Sequence, residues 1–380
     1  MSKVALITIF SINNYGSVLQ AYASQRMFEL AGVECEIINY RYPNAWHYAN
    51  GFGKIPLAKR VAIAVAKPLL KAFDIPSHHV SFDRLREFCR SHLRLTRVFG
   101  SLQEMDRADW SGYDAVVAGS DQIWNPRFLN GDKAFMLSFV PEGVRRLSLA
   151  SSFACGSLPE GFIPHYRKWL GRFDAITVRE PAGVDIVRNQ LRLDIDTASV
   201  PDPTLLLSAD EWRRVAAPAM KSLPDEPYIV LYPLHYAFEC RPYIYNVARR
   251  MQQLTGCLVV ALGSDPEWPS DLRVENRRNA SVEEFVALMS NARCVVTSSF
   301  HGTAFAVNFG RPLISIVPSG ASGDDRQSSL LRALGIGANA VETGAPLDSL
   351  HPEYDTALVS AALDRLRRQG IDLILKHIPS

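Results

Sequence analysis

The sequence predicts an α/β protein made of two doubly wound domains. Short β-branched runs alternate with amphipathic stretches, a pattern typical of parallel sheets joined by crossover helices. The length of 380 residues suits about two domains of ordinary size. The alternation stops in a Pro-rich stretch beyond residue 194 and then starts again. We therefore expect two Rossmann-like domains that face each other.

The first domain is predicted over residues 1–210. A helical pattern over residues 16–31 follows the first strand, and the polar breakers that precede it mark the turn between them. The predicted strands of this domain are VALITIF, ECEIINY, YDAVVAGS, RRLSLASS and DAITVRE. Such runs alternate with helices in a parallel sheet, so ligand contacts are expected where the strands end.

Residues 211–227 are the predicted linker, because Pro and polar breakers replace the alternating pattern there. The second domain is predicted over residues 228–380, with strands YIVLYPL, CLVVALG and RCVVTSS. Ser281 and Glu284 form the sequence signature of a capping box at a helix start. Two domains of similar size predict a cleft between the carboxyl ends of their strands.

Composition excludes several classes of function. The 41 Lys and Arg residues nearly balance the 39 Asp and Glu residues, which gives no reason to expect nucleic acid as a partner. The six cysteines are scattered, with neither a CxxC spacing nor a histidine at zinc-ligand distance, so we expect reduced thiols and no metal. No run is long enough to span a membrane and none resembles a signal peptide, so we expect a cytoplasmic protein.

One basic, amphipathic excursion interrupts the first domain over residues 51–75. Residues 51–73 mix an apolar face with five Lys and Arg residues. One interpretation is a pair of interfacial helices that hold the protein at the inner face of a membrane, on anionic lipid or a lipid-linked substrate. The other is an ordinary segment that packs on its own domain with solvated lysines.

His301 is the main candidate for chemistry. A buried run ends at Ser298 and Ser299, and a helix is predicted from about Gly302, so the imidazole lies where free backbone N–H groups favour an anion. Gly302 would admit a ligand close to the backbone, and Thr303 adds a hydroxyl. A histidine in this position can donate to a phosphate or carboxylate and move a proton near neutral pH. The alternative is a capping or core histidine.

Two arginines are candidates for the same anion. Arg179 ends a predicted strand of the first domain, where a guanidinium suits a bidentate contact with a carboxylate or phosphate. A surface ion pair with Glu180 or Asp185 is equally compatible with the sequence. Arg326 precedes an amphipathic helix and could reach over the anion, although a solvated arginine at a helix start is the commoner outcome.

Loops after two strands of the first domain are predicted to bind a ligand, which we call the acceptor. Hydrogen-bonding groups are expected there, with Trp124 as a sugar-stacking face. The alternatives are an N-cap for Asp121 and domain packing for Trp124. The predicted acceptor residues are Asn13, Asn14, Tyr15, Gly16, Ser120, Asp121, Gln122, Trp124 and Asn125.

Four motifs resemble the polysaccharide pyruvyltransferase family: INNYGSVLQAYA, AGSDQIWNP, VPDPTLLL and TSSFHGTAFAVNFGRPLISI, in this order over nearly the whole chain. The resemblance implies the glycosyltransferase B architecture. It also implies transfer of a pyruvyl group from phosphoenolpyruvate to two sugar hydroxyls, which forms a ketal on a capsular polysaccharide, another exopolysaccharide or a precursor that is lipid-linked. The donor is a substrate, and no cofactor is expected.

The resemblance also implies residue roles. His301 matches the family's catalytic acid and Arg179 matches an arginine that holds phosphoenolpyruvate. Some better-known members have Arg-Leu-His where this chain has Ser299, Phe300 and His301. Arg326, or backbone amides and serines, would have to replace that arginine. The predicted donor residues are therefore Ser298, Ser299, Gly302, Thr303 and Arg326.

Two other functions stay open at this point. One is a glycosyltransferase that uses a nucleotide sugar, because the order of strand, Ser-containing loop, helix and "G-x-P" strand also resembles the nucleotide-sugar half of such enzymes. The other is a sugar-binding relative without catalysis. Nucleotide binding would identify the first, and acceptor binding without donor turnover the second.

Overall fold

The computed structural model describes residues 2–42, 79–235, 238–263, 268–320 and 326–378. The predicted excursion at 51–75 lies outside the described residues. Within them, no helix combines the length and the apolar character needed to cross a bilayer.

The described strands form two parallel sheets, one in each domain. The first sheet has the order β3-β2-β1-β4-β5-β6-β7 and the second β10-β9-β8-β11-β12-β13. The strands are β1 (Lys3–Ile7), β2 (Glu34–Tyr40), β3 (Leu95–Phe99), β4 (Ala115–Ala118), β5 (Arg145–Ser148), β6 (Ala175–Val178), β7 (Asp196–Ser199), β8 (Tyr228–Tyr232), β9 (Leu258–Ala261), β10 (Val274–Asn276), β11 (Cys294–Thr297), β12 (Leu313–Val317) and β13 (Ala340–Glu342).

The order in which strands are added to each sheet reverses at its centre, between β1 and β4 in the first domain and between β8 and β11 in the second. This order is that of Rossmann-like domains, which bind ligands at the carboxyl ends of the strands near the reversal. The α/β prediction is confirmed, and the predicted ligand loops follow β1, β4 and β11.

Helices cover both sheets. The first domain has α1 (Tyr15–Leu30), α2 (His79–His92), α3 (Leu102–Asp106), α4 (Pro126–Leu129), α5 (Ile163–Leu170), α6 (Pro181–Asp185) and α7 (Pro203–Leu206). There follow α8 (Ala209–Ala216), α9 (Tyr243–Thr255), α10 (Val282–Asn291), α11 (Phe300–Asn308), α12 (Arg326–Ala333) and α13 (Thr356–Leu375). The capping box predicted at Ser281 and Glu284 is present at the start of α10.

The predicted linker is a folded part of the structure. Its residues lie in α8 and in a 3₁₀ turn over Ala217–Ser222, both of which pack on α10. The segment begins as a helix because the Ser208 side chain accepts from the Glu211 N–H and caps α8. The domain boundary at 211–227 stays a prediction, and the first part of this segment is helical.

One row of aromatic rings continues from the first domain into the second. Tyr22 of α1 lies 5.7 Å from Trp212, and Trp212 lies 4.9 Å from Phe305, between ring centroids. Tyr15 stacks on Phe285 at 4.5 Å. These side chains belong to one buried apolar cluster, apart from the partly buried Tyr22 at its edge. The two domains thus share a core, which fixes how their strand ends face each other.

The last helix returns to the first domain. Arg367 of α13 donates to the carbonyl oxygens of Leu205 and Leu207, and to Asn308 Oδ1 of α11 at 2.7 Å. Asn308 Nδ2 itself donates to the carbonyl oxygens of Thr204 and Leu207 at 2.9 and 3.0 Å. Side chains from two helices of the second half therefore hold the carboxyl end of α7.

Asn308→Ala should lower the free energy of unfolding by about 1–3 kcal/mol, because buried carbonyl oxygens and the Arg367 guanidinium lose a partner. Urea unfolding measures this effect. Asn189→Ala, at an exposed position of the first domain, is the matched control. Equal effects of the two substitutions would show that Asn308 does not hold α7.

Candidate active site

Charged side chains from both domains meet where the two sheets end. Arg179 and Glu180 follow β6, and Asp202 lies between β7 and α7. His301 is the second residue of α11, directly after the β11 turn, and Arg326 begins α12. All five are buried. The predicted convergence of His301, Arg179 and Arg326 in one place is therefore observed.

Asp202 is at the centre of this cluster. Its Oδ2 accepts from Ser120 Oγ and from Arg179 Nη1, both at 2.9 Å, and lies 3.8 Å from His301 Nε2. Its Oδ1 accepts from the N–H of Thr204 at 2.9 Å and from Thr204 Oγ1 at 2.7 Å. One carboxylate thus caps α7 and also holds the two residues expected to act on the donor.

The pKa values follow from burial and charge. Burial alone would raise the pKa of Asp202, but His301, Arg179 and the Thr204 hydrogen bonds outweigh it and lower this pKa to about 2. Burial lowers the pKa of His301, and Asp202 opposes this only in part. At neutral pH, Asp202 is a carboxylate and His301 is a neutral imidazole.

Arg179 presents one edge of its guanidinium without a hydrogen bond. Nη1 donates to Asp202, whereas Nε and Nη2 are buried and have no hydrogen-bond partner within the part of the chain that the structure describes. The Nε and Nη2 donors lie on the same edge, which is the arrangement that binds a carboxylate or phosphate in bidentate fashion. Arg179 is therefore a buried group that forms a close ion pair with Asp202 and a longer one, at 4.0 Å, with the buried Glu180, and neither lies at the surface.

Phe300 brings the two arginines together. The guanidinium carbon of Arg179 lies 4.6 Å from the centre of the Phe300 ring, and that of Arg326 lies 5.8 Å from it. Arg326 also reaches the first domain, because both of its Nη atoms lie 3.1–3.2 Å from the Gln122 amide oxygen in the amide orientation that satisfies both groups. The Phe300 ring thus contacts one cation from each domain.

Glu180 and His301 add two more buried atoms without partners. Glu180 Oε1 accepts from Ser152 Oγ and from the N–H groups of Phe153 and Ala154, at 2.9–3.1 Å. Among the described residues, its Oε2 has no hydrogen-bond partner, although it lies 4.0 Å from Arg179 Nε. The same residues offer no hydrogen bond to His301 Nε2, which lies 3.8 Å from Asp202 Oδ2. Unsatisfied buried polar atoms are rare in folded proteins, so this concentration marks a site that receives another molecule.

A family model for polysaccharide pyruvyl transferase matches residues 14–320. The chain belongs to this family. Among curated proteins, none matches the sequence. The family identifies the protein as a transferase enzyme that acts in polysaccharide biosynthesis, with a sugar or polysaccharide as acceptor.

Solved structures of low sequence identity share the fold of this transferase. UDP-GlcNAc 2-epimerase from Methanocaldococcus jannaschii has a TM-score of 0.51 at 13% identity, over 95% of this chain and 91% of the epimerase. The Neisseria meningitidis enzyme, bound to UDP-GlcNAc, has a TM-score of 0.52 at 10% identity, over 99% and 100%. These likenesses show two Rossmann-like domains in the glycosyltransferase B arrangement, and at such identities they show the fold alone.

Two predicted acceptor residues instead join the transferase's domains. Tyr15 Oη donates to the Ala280 carbonyl oxygen at 2.5 Å, and its ring stacks on Phe285, so it does not face a ligand. A Cβ built on Gly16 would lie 2.0 Å from His301 Nδ1. Tyr15 and Gly16 thus have contacts between the domains, and their predicted acceptor contacts stay a prediction. Of their neighbours, Asn14 caps α1 through Oδ1, and Asn13 is exposed.

Residues of the loop after β4 form hydrogen bonds with the site and with α1. Ser120 binds Asp202, and Asp121 Oδ2 accepts from Ser17 Oγ at 2.6 Å. Asp121 has a φ of 73°, a left-handed conformation unusual for a residue other than glycine. The Gln122 amide lies against Arg326 and 2.7 Å from Asn125 Nδ2, and Asn125 Oδ1 caps α4. These residues lie at the cluster, where an acceptor role stays a prediction.

Trp124 is a core residue of the first domain. The side chain is fully buried, and its Nε1 donates to the carbonyl oxygen of Phe135 at 3.0 Å. The Phe153 and Phe173 rings pack against it at 5.2 and 5.7 Å. The prediction of a sugar-stacking face is therefore wrong, and the packing alternative holds.

The small residues around His301 have structural partners. Ser298 Oγ accepts from the Leu234 N–H and donates to its carbonyl oxygen, and Ser299 Oγ caps α11. Thr303 Oγ1 contacts Ser315 Oγ at 2.8 Å and donates to the Ser299 carbonyl. A Cβ on Gly302 would lie 2.4 Å from Thr297 Oγ1, so this glycine serves helix packing. These contacts give Ser298, Ser299, Gly302 and Thr303 structural roles, and their part in binding the donor stays a prediction.

Asp202 and Glu180 are not among the predicted site residues. Asp202 lies within the VPDPTLLL motif, where Asp before Pro indicates a helix cap, and it does cap α7. The sequence suggests Glu180 only as a surface partner of Arg179. The motif itself therefore contains a sequence signal for Asp202. Glu180 has no such signal, because only the pairing of β5 with β6 brings Ser152 beside it.

Asp202→Asn should lower the free energy of unfolding by about 3–5 kcal/mol at pH 7, because Arg179 would be left buried without its counter-charge. The folded-state pKa of about 2 is below the ordinary value for aspartate. The carboxylate's contribution is therefore present above the ordinary pKa and is lost as the pH falls through the folded-state value. Urea unfolding at pH 7, 4 and 3 should show the difference from wild type shrinking. Asp83→Asn, at an exposed position, should change little; an equal effect of both substitutions would contradict the role of Asp202.

Gly16→Ala should destabilise the contact between the domains by about 1–3 kcal/mol, because the added methyl group overlaps the His301 ring. Thermal unfolding measures the loss of stability, and small-angle X-ray scattering measures whether the domains separate. Gly161→Ala is the control, since a Cβ there meets nothing within 4 Å. An unchanged melting temperature and scattering curve for Gly16→Ala would show that this contact does not hold the domains together.

Proposed function

We propose that this transferase moves the pyruvyl group of phosphoenolpyruvate to two hydroxyls of a sugar and forms a cyclic ketal. The observation that carries the proposal is that Nε and Nη2 of Arg179 and Nε2 of His301, two residues that both contact Asp202, have no hydrogen-bond partner among the described residues. Phosphoenolpyruvate has a phosphate and a carboxylate, both of which suit a bidentate guanidinium. Arg326, from the other domain, supplies a second cation in place of the arginine expected before His301.

The neutral state of His301 fits a donor that brings its own negative charge. An anion within a few ångströms favours the protonated imidazole and therefore raises its pKa. His301 would then take up a proton when phosphoenolpyruvate binds and deliver it to the methylene carbon. This step makes C2 an oxocarbenium-like centre that a sugar hydroxyl can attack.

Ketal formation follows from that attack. The first hydroxyl gives a tetrahedral adduct that still carries the phosphate. Loss of phosphate, with its charge stabilised by Arg179 and Arg326, regenerates an electrophilic carbon for the second hydroxyl. The reaction needs no cofactor, since the donor itself supplies the leaving group. The acceptor in this proposal is a sugar of a bacterial surface polysaccharide or its precursor, bound beside Asp121 and Gln122.

Calorimetric titration with phosphoenolpyruvate and with UDP, GDP and CDP tests the proposal. Wild type should bind phosphoenolpyruvate. Arg179→Lys keeps a charge for Asp202 but loses the paired N–H donors, so it should weaken binding about 10- to 100-fold, as expected for charge-assisted hydrogen bonds of about 1.5–3 kcal/mol. Arg365→Lys, on the exposed face of α13, should bind like wild type.

The proton uptake by His301 is measured in the same titrations. Buffers of different ionisation enthalpy report the protons taken up on binding, and His301→Gln should abolish that uptake. The same substitution should slow turnover by about 10²- to 10⁴-fold, the usual range for general acid catalysis. Tight binding of a nucleotide without binding of phosphoenolpyruvate would instead make the protein a nucleotide-sugar transferase.

A further inference from the structure

The chemistry of ketal formation requires more proton transfers than His301 alone is placed to make. One proton goes to the methylene carbon of phosphoenolpyruvate, and one goes to the oxygen of the departing phosphate. Two protons leave the sugar hydroxyls. Two acid–base groups that each donate once and accept once would both return to their starting state at the end of the cycle.

Glu180 is a buried acid beside the guanidinium that would hold the donor. Its Oε1 is fixed by three donors, from Ser152 Oγ and two backbone N–H groups, so the carboxyl group has one defined orientation. Its Oε2 has no hydrogen-bond partner in the described ranges and lies 4.0 Å from Arg179 Nε, on the edge of that guanidinium that makes no hydrogen bond. A phosphate bound to that edge would lie next to Oε2.

Resting on the proposed function, we propose that Glu180 is its second proton-transfer residue. Protonated Glu180 Oε2 donates to the bridging oxygen as the C2–O bond to phosphate breaks, with the bonding electrons leaving on that oxygen. The Glu180 carboxylate then takes the proton of the second sugar hydroxyl as that oxygen bonds to C2. His301 donates to the methylene carbon and takes the proton of the first hydroxyl.

The surroundings of Glu180 shift it toward its protonated form. Burial raises the pKa of Glu180, and the positive charges of Arg179 and Arg326 and the hydrogen bonds from Ala154 and Ser152 oppose this only in part. Raising the pKa of a carboxyl by burial is a known way of keeping an acid protonated near neutral pH. The simpler alternative is a structural carboxylate that only orients Arg179.

Glu180→Gln separates these two roles. The amide oxygen can still accept all three hydrogen bonds that fix Oε1, so the fold and the Arg179 environment should be kept, while the acid at Oε2 is lost. Binding of phosphoenolpyruvate should stay within about threefold of wild type. Deuterium incorporation at C3 of phosphoenolpyruvate in D₂O, which reports the His301 step, should also persist.

Phosphate release should fall by about 10²- to 10⁴-fold in Glu180→Gln, as expected for loss of an acid–base catalyst. It is measured in single turnovers, with water as acceptor and with 4-nitrophenyl hexopyranosides of gluco, galacto and manno configuration. The fall of phosphate release at high pH in wild type, where Glu180 loses its proton, should disappear in the variant. Glu160→Gln, an exposed glutamate of the same domain, should behave like wild type.

Each other outcome overturns the inference. Release within about threefold of wild type would make Glu180 a structural carboxylate. Equal loss of donor binding, exchange at C3 and release would make it only a positioning residue for Arg179. Failure of wild type to bind phosphoenolpyruvate would remove the proposed function and this inference with it, and the binding titration alone identifies that case.

Discussion

The buried carboxylate of Asp202 is the interaction on which the site depends. It accepts from Ser120 and Arg179 of the first domain, caps α7 through Thr204, and lies 3.8 Å from His301 of the second domain. A buried charge of this kind is tolerable only with several partners of good geometry. The position of α7 therefore sets the position of the Arg179 guanidinium. Asn308 and Arg367, from the second half of the chain, fix α7.

The fold could be predicted from the sequence because its signals are local. Alternating strand and helix patterns identify parallel sheets, and the carboxyl ends of parallel strands lie on one edge. His301 and Arg179 each follow a strand, and Arg326 begins a helix, so the chain pattern alone indicates that they converge. Composition did not indicate that most of residues 211–227 are helical, because the cap at Ser208 and the packing on α10 decide that conformation.

Several residues predicted to bind a ligand have structural partners that the sequence did not indicate. Ser299 and Gly302 have the residue types of an anion site, yet one caps α11 and the other leaves room for Thr297. Trp124 has the amphipathic character of a sugar-stacking residue, yet the rings of Phe153 and Phe173 enclose it. Small and aromatic residues suit both packing and binding, so sequence alone could not choose between them.

The same contact that closes the site explains how its chemistry is protected from water. The absence of a side chain on Gly16 lets α1 approach the His301 ring, and Phe300 lies against cations from both domains. The cluster is buried in this arrangement, while an open surface cavity of about 560 Å³ lies elsewhere, beside Trp110. In the proposed reaction, burial of the cluster excludes water, which competes with the sugar for the electrophilic carbon, and it strengthens every charge interaction in the site.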